Sequence, residues 1–264
     1  LATDSSSFFL VKTLAPGEEF TDNRTDAQIS DLTATTVDGD ANKALDFDGP
    51  KGDFSTRLVD VLRRDGLNYE QIFQEGTLTF AGRKGGRTLE TKEFTITDTS
   101  TLQDLTEFME DALGIQLAAD DANNAIPGSV NNIAGETGTL AQGISIQNGQ
   151  IRIVSNNGID NEIDVTLSSF QVTSDSGEIA NPNLAFGSIQ DAVGESATTD
   201  FVVFDSLGVP VNLRLTLALE SRSGSATTYR WFADSPDNDP TSGADVSVGT
   251  GLVSFDGEGN LITT

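Results

Sequence analysis

Between Val211 and Leu219, five large apolar residues (Val211, Leu213, Leu215, Leu217 and Leu219) alternate without a break with Asn212, Arg214, Thr216 and Ala218. A period of two sends successive side chains to opposite sides of an extended chain, so this run is a strand and not an amphipathic helix. The leucine face is expected to be buried. The same signature recurs elsewhere. Ile144 and Ile146 face Ile151 and Ile153 across Asn148-Gly149, the strongest short-range hairpin signal. Leu78 and Phe80 alternate with Thr77 and Thr79, Gly82 to Gly86 turn the chain, and Phe94 and Ile96 alternate with Thr95 and Thr97. Further strands are expected at Ile163 to Leu167 continuing through Phe170 and Val172, at Tyr229 with Trp231, and at Leu252 to Phe255. The last of these complete an antiparallel meander.

One stretch breaks this rule. Leu102, Leu105, Phe108, Met109 and Ala112 fall at steps of three and four, which places them on one face of a helix from about Thr101 to Leu113. Ser100 or Thr101 caps its start, and Gly114 suits a left-handed C-terminal cap. Residues 54 to 75 mix apolar and charged positions and accommodate a helical turn or two. Residues 120 to 143 and 174 to 200 read as long loops.

The first fifty residues, with short apolar patches at Phe8 to Val11 and Ala44-Leu45, read as short strands and loops. The breaker cluster Asp48-Gly49-Pro50-Lys51-Gly52-Asp53 marks a place for the chain to pass from one domain to another. The expected fold is therefore mainly β. An antiparallel sandwich or barrel-like outer domain is built from residues 1–48 and 173–264, and a small α+β domain, residues 49–172, is inserted into it. No repeat at a fixed period of 20 to 50 residues points to a solenoid or propeller.

Composition limits the chemistry. The 264 residues contain no cysteine and no histidine. That removes disulfides, thiolate and imidazole metal sites, Ser-His-Asp and Cys-His nucleophiles, and the commonest general base near neutral pH. Lys and Arg total 15 against 41 Asp and Glu, a formal charge of -26. A field of that sign repels nucleic acid and anionic membranes, and suits a well-solvated extracellular surface. No run of about 18 apolar residues is present, so no transmembrane helix is expected. The chain opens at Leu1 and runs out at Ile262-Thr263-Thr264, which reads as an excised piece.

Three short motifs occur in order: Phe204-Asp205-Ser206-Leu207-Gly208 before Val209-Pro210 and the alternating strand, then Tyr229-Arg230-Trp231, then Phe255-Asp256 with Gly259-Asn260-Leu261. Asp205 and Ser206 are able to bond local backbone groups, Gly208 tolerates positive φ, and Pro210 presets the next strand. Together these residues resemble the outer-domain pattern of bacterial flagellar hook proteins, in which an apolar strand ends in an Asp-Ser-Leu-Gly-like turn and a Phe-Asp-x-x-Gly-x-Leu turn closes the domain. The match covers residues 199 to 264. Lys84 to Arg87, Phe94 to Thr97 and the helix are similar to insertions in larger members.

The resemblance implies a structural subunit and no enzyme. Its copies stack into a curved tube that passes torque from motor to filament as a universal joint, outside the cell and exported without a cleaved signal peptide. It implies no cofactor, no metal and no nucleic-acid or membrane partner. The partners are other copies of the subunit. Since the terminal helical segments that drive polymerisation in the family are missing here, this piece is expected to be monomeric. The structural motif residues are Phe204, Asp205, Ser206, Leu207, Gly208, Trp231, Phe255, Asp256, Gly259 and Leu261.

The alternative reading is a calcium-dependent adhesion module, motivated by Asp46 with Asp48, Asp234 with Asp237 and Asp239, and Asp256 with Glu258. None of these completes a known calcium loop. Gly82-Arg83-Lys84-Gly85-Gly86-Arg87 lacks P-loop spacing and reads as a hairpin turn rather than a phosphate cradle.

Overall fold

A computed structural model describes residues 2–4, 9–12, 52–65, 68–117, 123–133, 135–147 and 149–263. Ala44-Leu45, Asp46, Asp48 and most of the breaker cluster lie outside these residues. The fold is mainly β, with antiparallel sheets and one α-helix among the described residues.

Two short strands come first, β1 (Ala2–Asp4) and β2 (Phe9–Lys12). A single 3₁₀ turn at Leu58–Asp60 leads into β3 (Val61–Asp65) and β4 (Asn68–Gln71), which form a three-stranded sheet with β2. The helical turns allowed for 54–75 thus reduce to that one turn. Next come β5 (Gly76–Phe80), β6 (Arg83–Lys84), β7 (Arg87–Thr88) and β8 (Lys92–Ile96). The register Leu78↔Phe94 joins β5 to β8 as the alternation predicts. Between them Gly85 and Gly86, at φ +56° and +73°, make the tight β6–β7 turn, which needs left-handed backbone at both positions.

The helix α1 (Leu102–Ala112) has both of its expected ends. Thr101 Oγ1 accepts the Asp104 N–H at 3.3 Å while Asp104 Oδ2 accepts the Thr101 N–H at 2.8 Å, a reciprocal capping box. Ser100 is occupied otherwise, its hydroxyl accepting the Thr97 N–H. At the other end Gly114 sits at φ +61°, and the bonds Ile115 N–H to Glu110 O and Gly114 N–H to Asp111 O close a Schellman motif.

After α1 the chain forms β9 (Ser129–Val130), β10 (Thr139–Leu140), β11 (Gly143–Gln147) and β12 (Gln150–Val154). The β11–β12 hairpin has the predicted register, Ile144↔Ile153 and Ile146↔Ile151. Then follow β13 (Ile163–Asp164), β14 (Phe170–Ser174), β15 (Ile179–Ala180) and β16 (Gly187–Gln190). The strand expected at 163–167 is cut short by a 3₁₀ turn at Leu167–Ser169. The two segments read as long loops contain β9, β10, β15, β16 and the start of the next strand; β9 pairs with β10 and β15 with the adjacent β14 in two-residue ladders, while β16 pairs with the remote β1.

The buried core lies between α1, the sheet β15-β14-β5-β8 and the β11–β12 hairpin. Phe80 meets Phe170 at 5.0 Å and Phe108 at 6.3 Å between ring centroids, and Phe94 meets Phe108 at 5.2 Å. Each fully buried Leu, Ile or Phe in it contributes about 1.5–3 kcal/mol of transfer free energy. The chain start joins this body: β1 lies between β12 and β16, with Ala2↔Val154 and Asp4↔Gly187. One sheet therefore draws strands from both sides of the expected boundaries at 48 and 172.

The last five strands form one antiparallel meander in sequence order: β17 (Ser196–Phe204), β18 (Pro210–Arg222), β19 (Ala226–Asp234), β20 (Ser247–Asp256) and β21 (Leu261–Thr263). β18 is the strand announced by the leucine alternation, but its orientation reverses the expectation. Thr216 and Ala218 are buried at 1% and 3% exposure, while Leu213, Leu215, Leu217 and Leu219 stay half-exposed. The face turned inward also carries Arg230, Phe232 and Asp234 of β19, all buried. Polar bonds to the body make this possible. Lys84 Nζ reaches Asp234 Oδ2 at 2.7 Å, Lys92 Nζ reaches the Pro236 carbonyl at 2.9 Å, and Arg230 donates to Asn124 Oδ1, the Ala125 carbonyl and Glu220.

Candidate functional site

The ten motif residues are distributed over the terminal sheet. Residues 205–209 connect β17 to β18 at one end, and 257–260 connect β20 to β21 at the other, since Phe204 pairs with Pro210 while Asp256 pairs with Ala226 beside the β18–β19 turn. The two turns do not converge on a common pocket.

They are, however, the same turn. Asp205 N–H donates to Val209 O at 3.0 Å, Gly208 N–H to Asp205 O at 3.0 Å, and Asp205 Oδ1 accepts the N–H groups of Leu207 and Val209, each at 2.8 Å. Asp256 N–H donates to Asn260 O at 2.9 Å, Gly259 N–H to Asp256 O at 3.1 Å, and Asp256 Oδ1 accepts Glu258 N–H at 2.9 Å and Asn260 N–H at 2.8 Å. Gly208 and Gly259 sit at φ +81° and +87°. A third copy joins β14 to β15: Ser174 Oγ accepts the Glu178 N–H, and Gly177 is at φ +83°. The pattern is an acceptor residue, two variable residues and a left-handed glycine. Ser174 was not singled out from the sequence, and the shared spacing to its glycine is the signal that identifies it. The Asn260 amide, followed by the backbone donors, holds the Asp256 carboxyl below the usual carboxylate range.

A Cβ added at Gly208 or Gly259 would meet nothing within 4 Å, so the cost of substitution lies in the backbone alone. Gly208→Ala and Gly259→Ala should each destabilise by about 1–2 kcal/mol, with Asn recovering much of that loss. Urea denaturation checks this, and equal stability of the Ala and Gly forms would contradict it.

Trp231 and Phe255 lie with the leucines on the outward face. The Trp231 ring covers Gly251 of β20, where a Cβ would fall 2.6 Å from the indole. Phe255 stands edge-on to Tyr229 at 6.2 Å and pairs with Leu261. The opposite side of β17 carries Phe204, which is 70% exposed, and Leu207 at the turn tip is 86% exposed. This sheet is thus amphipathic in reverse, with its charged face clamped to the body and its apolar face outward. On that outward face Leu213, Leu215, Leu217, Leu219, Tyr229 and Trp231 are all half-buried.

The acidic clusters are held by protein donors. Asp234 is ion-paired with Lys84, Asp237 accepts the Asn212 N–H and side-chain amide, and Asp239 caps the 3₁₀ turn Pro240–Ser242 through Thr241. Among the described residues no three Asp or Glu side chains are grouped to hold a metal ion. Asp46 and Asp48 lie outside them.

One carboxyl is strongly perturbed. Asp111, in the last turn of α1, is pushed up to about 6 by burial and then by the charges of Asp245 and Glu107. That turn contains no basic residue, so the helix dipole also disfavours an anion there. The folded value lies above the ordinary 3.8. The contribution of Asp111 to stability is therefore complete below pH 3.8 and is lost as pH rises through about 6. Asp111→Asn should raise the melting temperature relative to the parent at pH 7 and lose that advantage at pH 4. An advantage that grows toward low pH would contradict the assignment.

No protein-family model, no curated protein and no solved structure matches this chain.

Proposed function

We propose that this chain is the outer portion of a flagellar hook subunit, a structural protein with no catalytic chemistry of its own. The observation that carries the reading is the terminal meander, whose two Asp-x-x-Gly turns fall on the motif residues and whose apolar face, with Trp231 and Phe255, looks outward. In such a subunit the sheet supplies outer-surface contacts between neighbouring copies, and the acidic remainder keeps the tube surface solvated while contacts slide during rotation. The absence of His and Cys from the sequence agrees with a role carried by surfaces.

The calcium-dependent reading draws no comparable support, because Asp234, Asp237, Asp239 and Asp256 are engaged by backbone and side-chain donors. Immunogold labelling of intact cells of the source organism with antibodies raised against this chain tests the proposal. Label confined to the short curved segment between cell envelope and filament supports it. Label along the filament, over the cell body or on non-flagellar fibres overturns it.

A further inference from the structure

β17 is the outer strand of its sheet, with β18 on one edge and no strand on the other among the described residues. Soluble proteins guard such edges with charges, proline, bulges, short strands or a covering element. The start of β17 is guarded in this way. Ser196 Oγ accepts the Asp160 N–H at 2.9 Å and donates to Asp160 Oδ2, so the turn at Ile159–Asn161 covers it.

From Thr199 to Phe204 no covering element is present among the described residues. All six residues are exposed, none is proline, and the pairing with β18 runs without a bulge to Phe204↔Pro210. The single charge, Asp200, lies between two cations, with Arg214 Nε and Arg87 Nη1 each 2.8 Å from a carboxylate oxygen. These hydrogen bonds, Arg214 first and Arg87 second, hold the Asp200 carboxyl below its usual range. In a chain of formal charge -26, this edge has two cations for its one anion.

We infer that Thr199–Phe204 is a homotypic docking edge on which a second copy of this chain pairs its own β17, antiparallel, to make one continuous sheet. The strand is complementary to itself. Pairing about a two-fold axis at Val202 sets Phe201 against Val203 and Asp200 against Phe204, so aromatic and β-branched residues meet and no like charges face one another. The chain's high net charge opposes most contacts between copies, and this edge is where that repulsion is locally offset. Salt screens the long-range repulsion, with a Debye length of about 8 Å at physiological strength. Added salt therefore strengthens this contact, the reverse of one held by ion pairs.

Sedimentation velocity of the 264-residue chain over a concentration series at low and high NaCl tests the inference. The expected result is a species of twice the 27.9 kDa chain mass whose share rises with concentration and with salt. Val202→Lys with Phe204→Lys should weaken association by at least about tenfold. Those side chains are already 53% and 70% exposed, so the thermal melt of the variant should match the parent. A monomer at every concentration, a dimer that salt disperses, or a dimer unchanged in the folded double variant overturns the inference. The edge stands apart from the hook assignment: failed hook labelling with a salt-strengthened dimer removes that assignment alone, and a monomer with correct labelling removes the edge alone.

Discussion

Replacing Lys84 with Ala should destabilise the protein by about 3–5 kcal/mol, because it leaves the Asp234 carboxylate buried without its counter-charge. The two side chains are 6% and 7% exposed, with Nζ and Oδ2 2.7 Å apart, and Nζ also donates to the Gly114 carbonyl at 2.7 Å. Asp234 Oδ1 is already buried without a partner, so loss of the ammonium strands the whole carboxylate. In a chain of this size such a loss lowers the melting temperature by about 10 °C. The double replacement Lys84→Met with Asp234→Leu should recover most of the loss, since desolvating two charges offsets much of their attraction. Urea denaturation of both singles and the double forms a cycle. If the double variant is as unstable as Lys84→Ala, loss of packing and not an orphaned charge explains the effect. The pair joins β6 to β19, positions 150 residues apart, and fixes the polar face of the terminal sheet inward.

Phe170→Ala should cost a similar amount, about 3–5 kcal/mol, through loss of transfer energy and the cavity left behind. Phe170 is 1% exposed on β14, its ring 5.0 Å from Phe80 and 6.1 Å from Phe186. Phe170→Leu, which retains most of the volume, should lose only about 1–2 kcal/mol. The contrast is Phe204→Ala, which at an exposed edge should change stability by no more than about 0.5 kcal/mol. Chemical denaturation separates the two cases. Equal costs at Phe170 and Phe204 would mean that the terminal strand is buried in solution and that its outward placement is mistaken.

These two residues also separate what was legible in the sequence from what was not. Phe170 was placed on an extended path by its spacing from Val172, and it is core. Phe204 belongs to an equally apolar run, Phe201 to Phe204, yet it lies on an edge that no second strand pairs among the described residues. Nothing local distinguishes them, because exposure depends on what the rest of the chain brings alongside.

The sequence alone determined most features governed by neighbours within about five positions, the Ser174 turn and the 3₁₀ turn at Leu167–Ser169 being the exceptions. α1 with its Thr101 cap and Gly114 stop, the β11–β12 hairpin, the β6–β7 turn and the Asp205 and Asp256 turns all depend on backbone dihedrals and hydrogen bonds between near residues. The tertiary structure alone decided which face of β18 turns inward. A period of two establishes that the faces differ, and hydrophobicity favours burying the leucines. The opposite face nevertheless carries Arg230 and Asp234, held in the interior by remote partners: Arg230 donates to Asn124 and to the Ala125 carbonyl, and Asp234 is ion-paired with Lys84. Those partners are separated by more than a hundred residues in sequence, so the choice of face, and with it the outward leucine surface, follows from pairing across the fold.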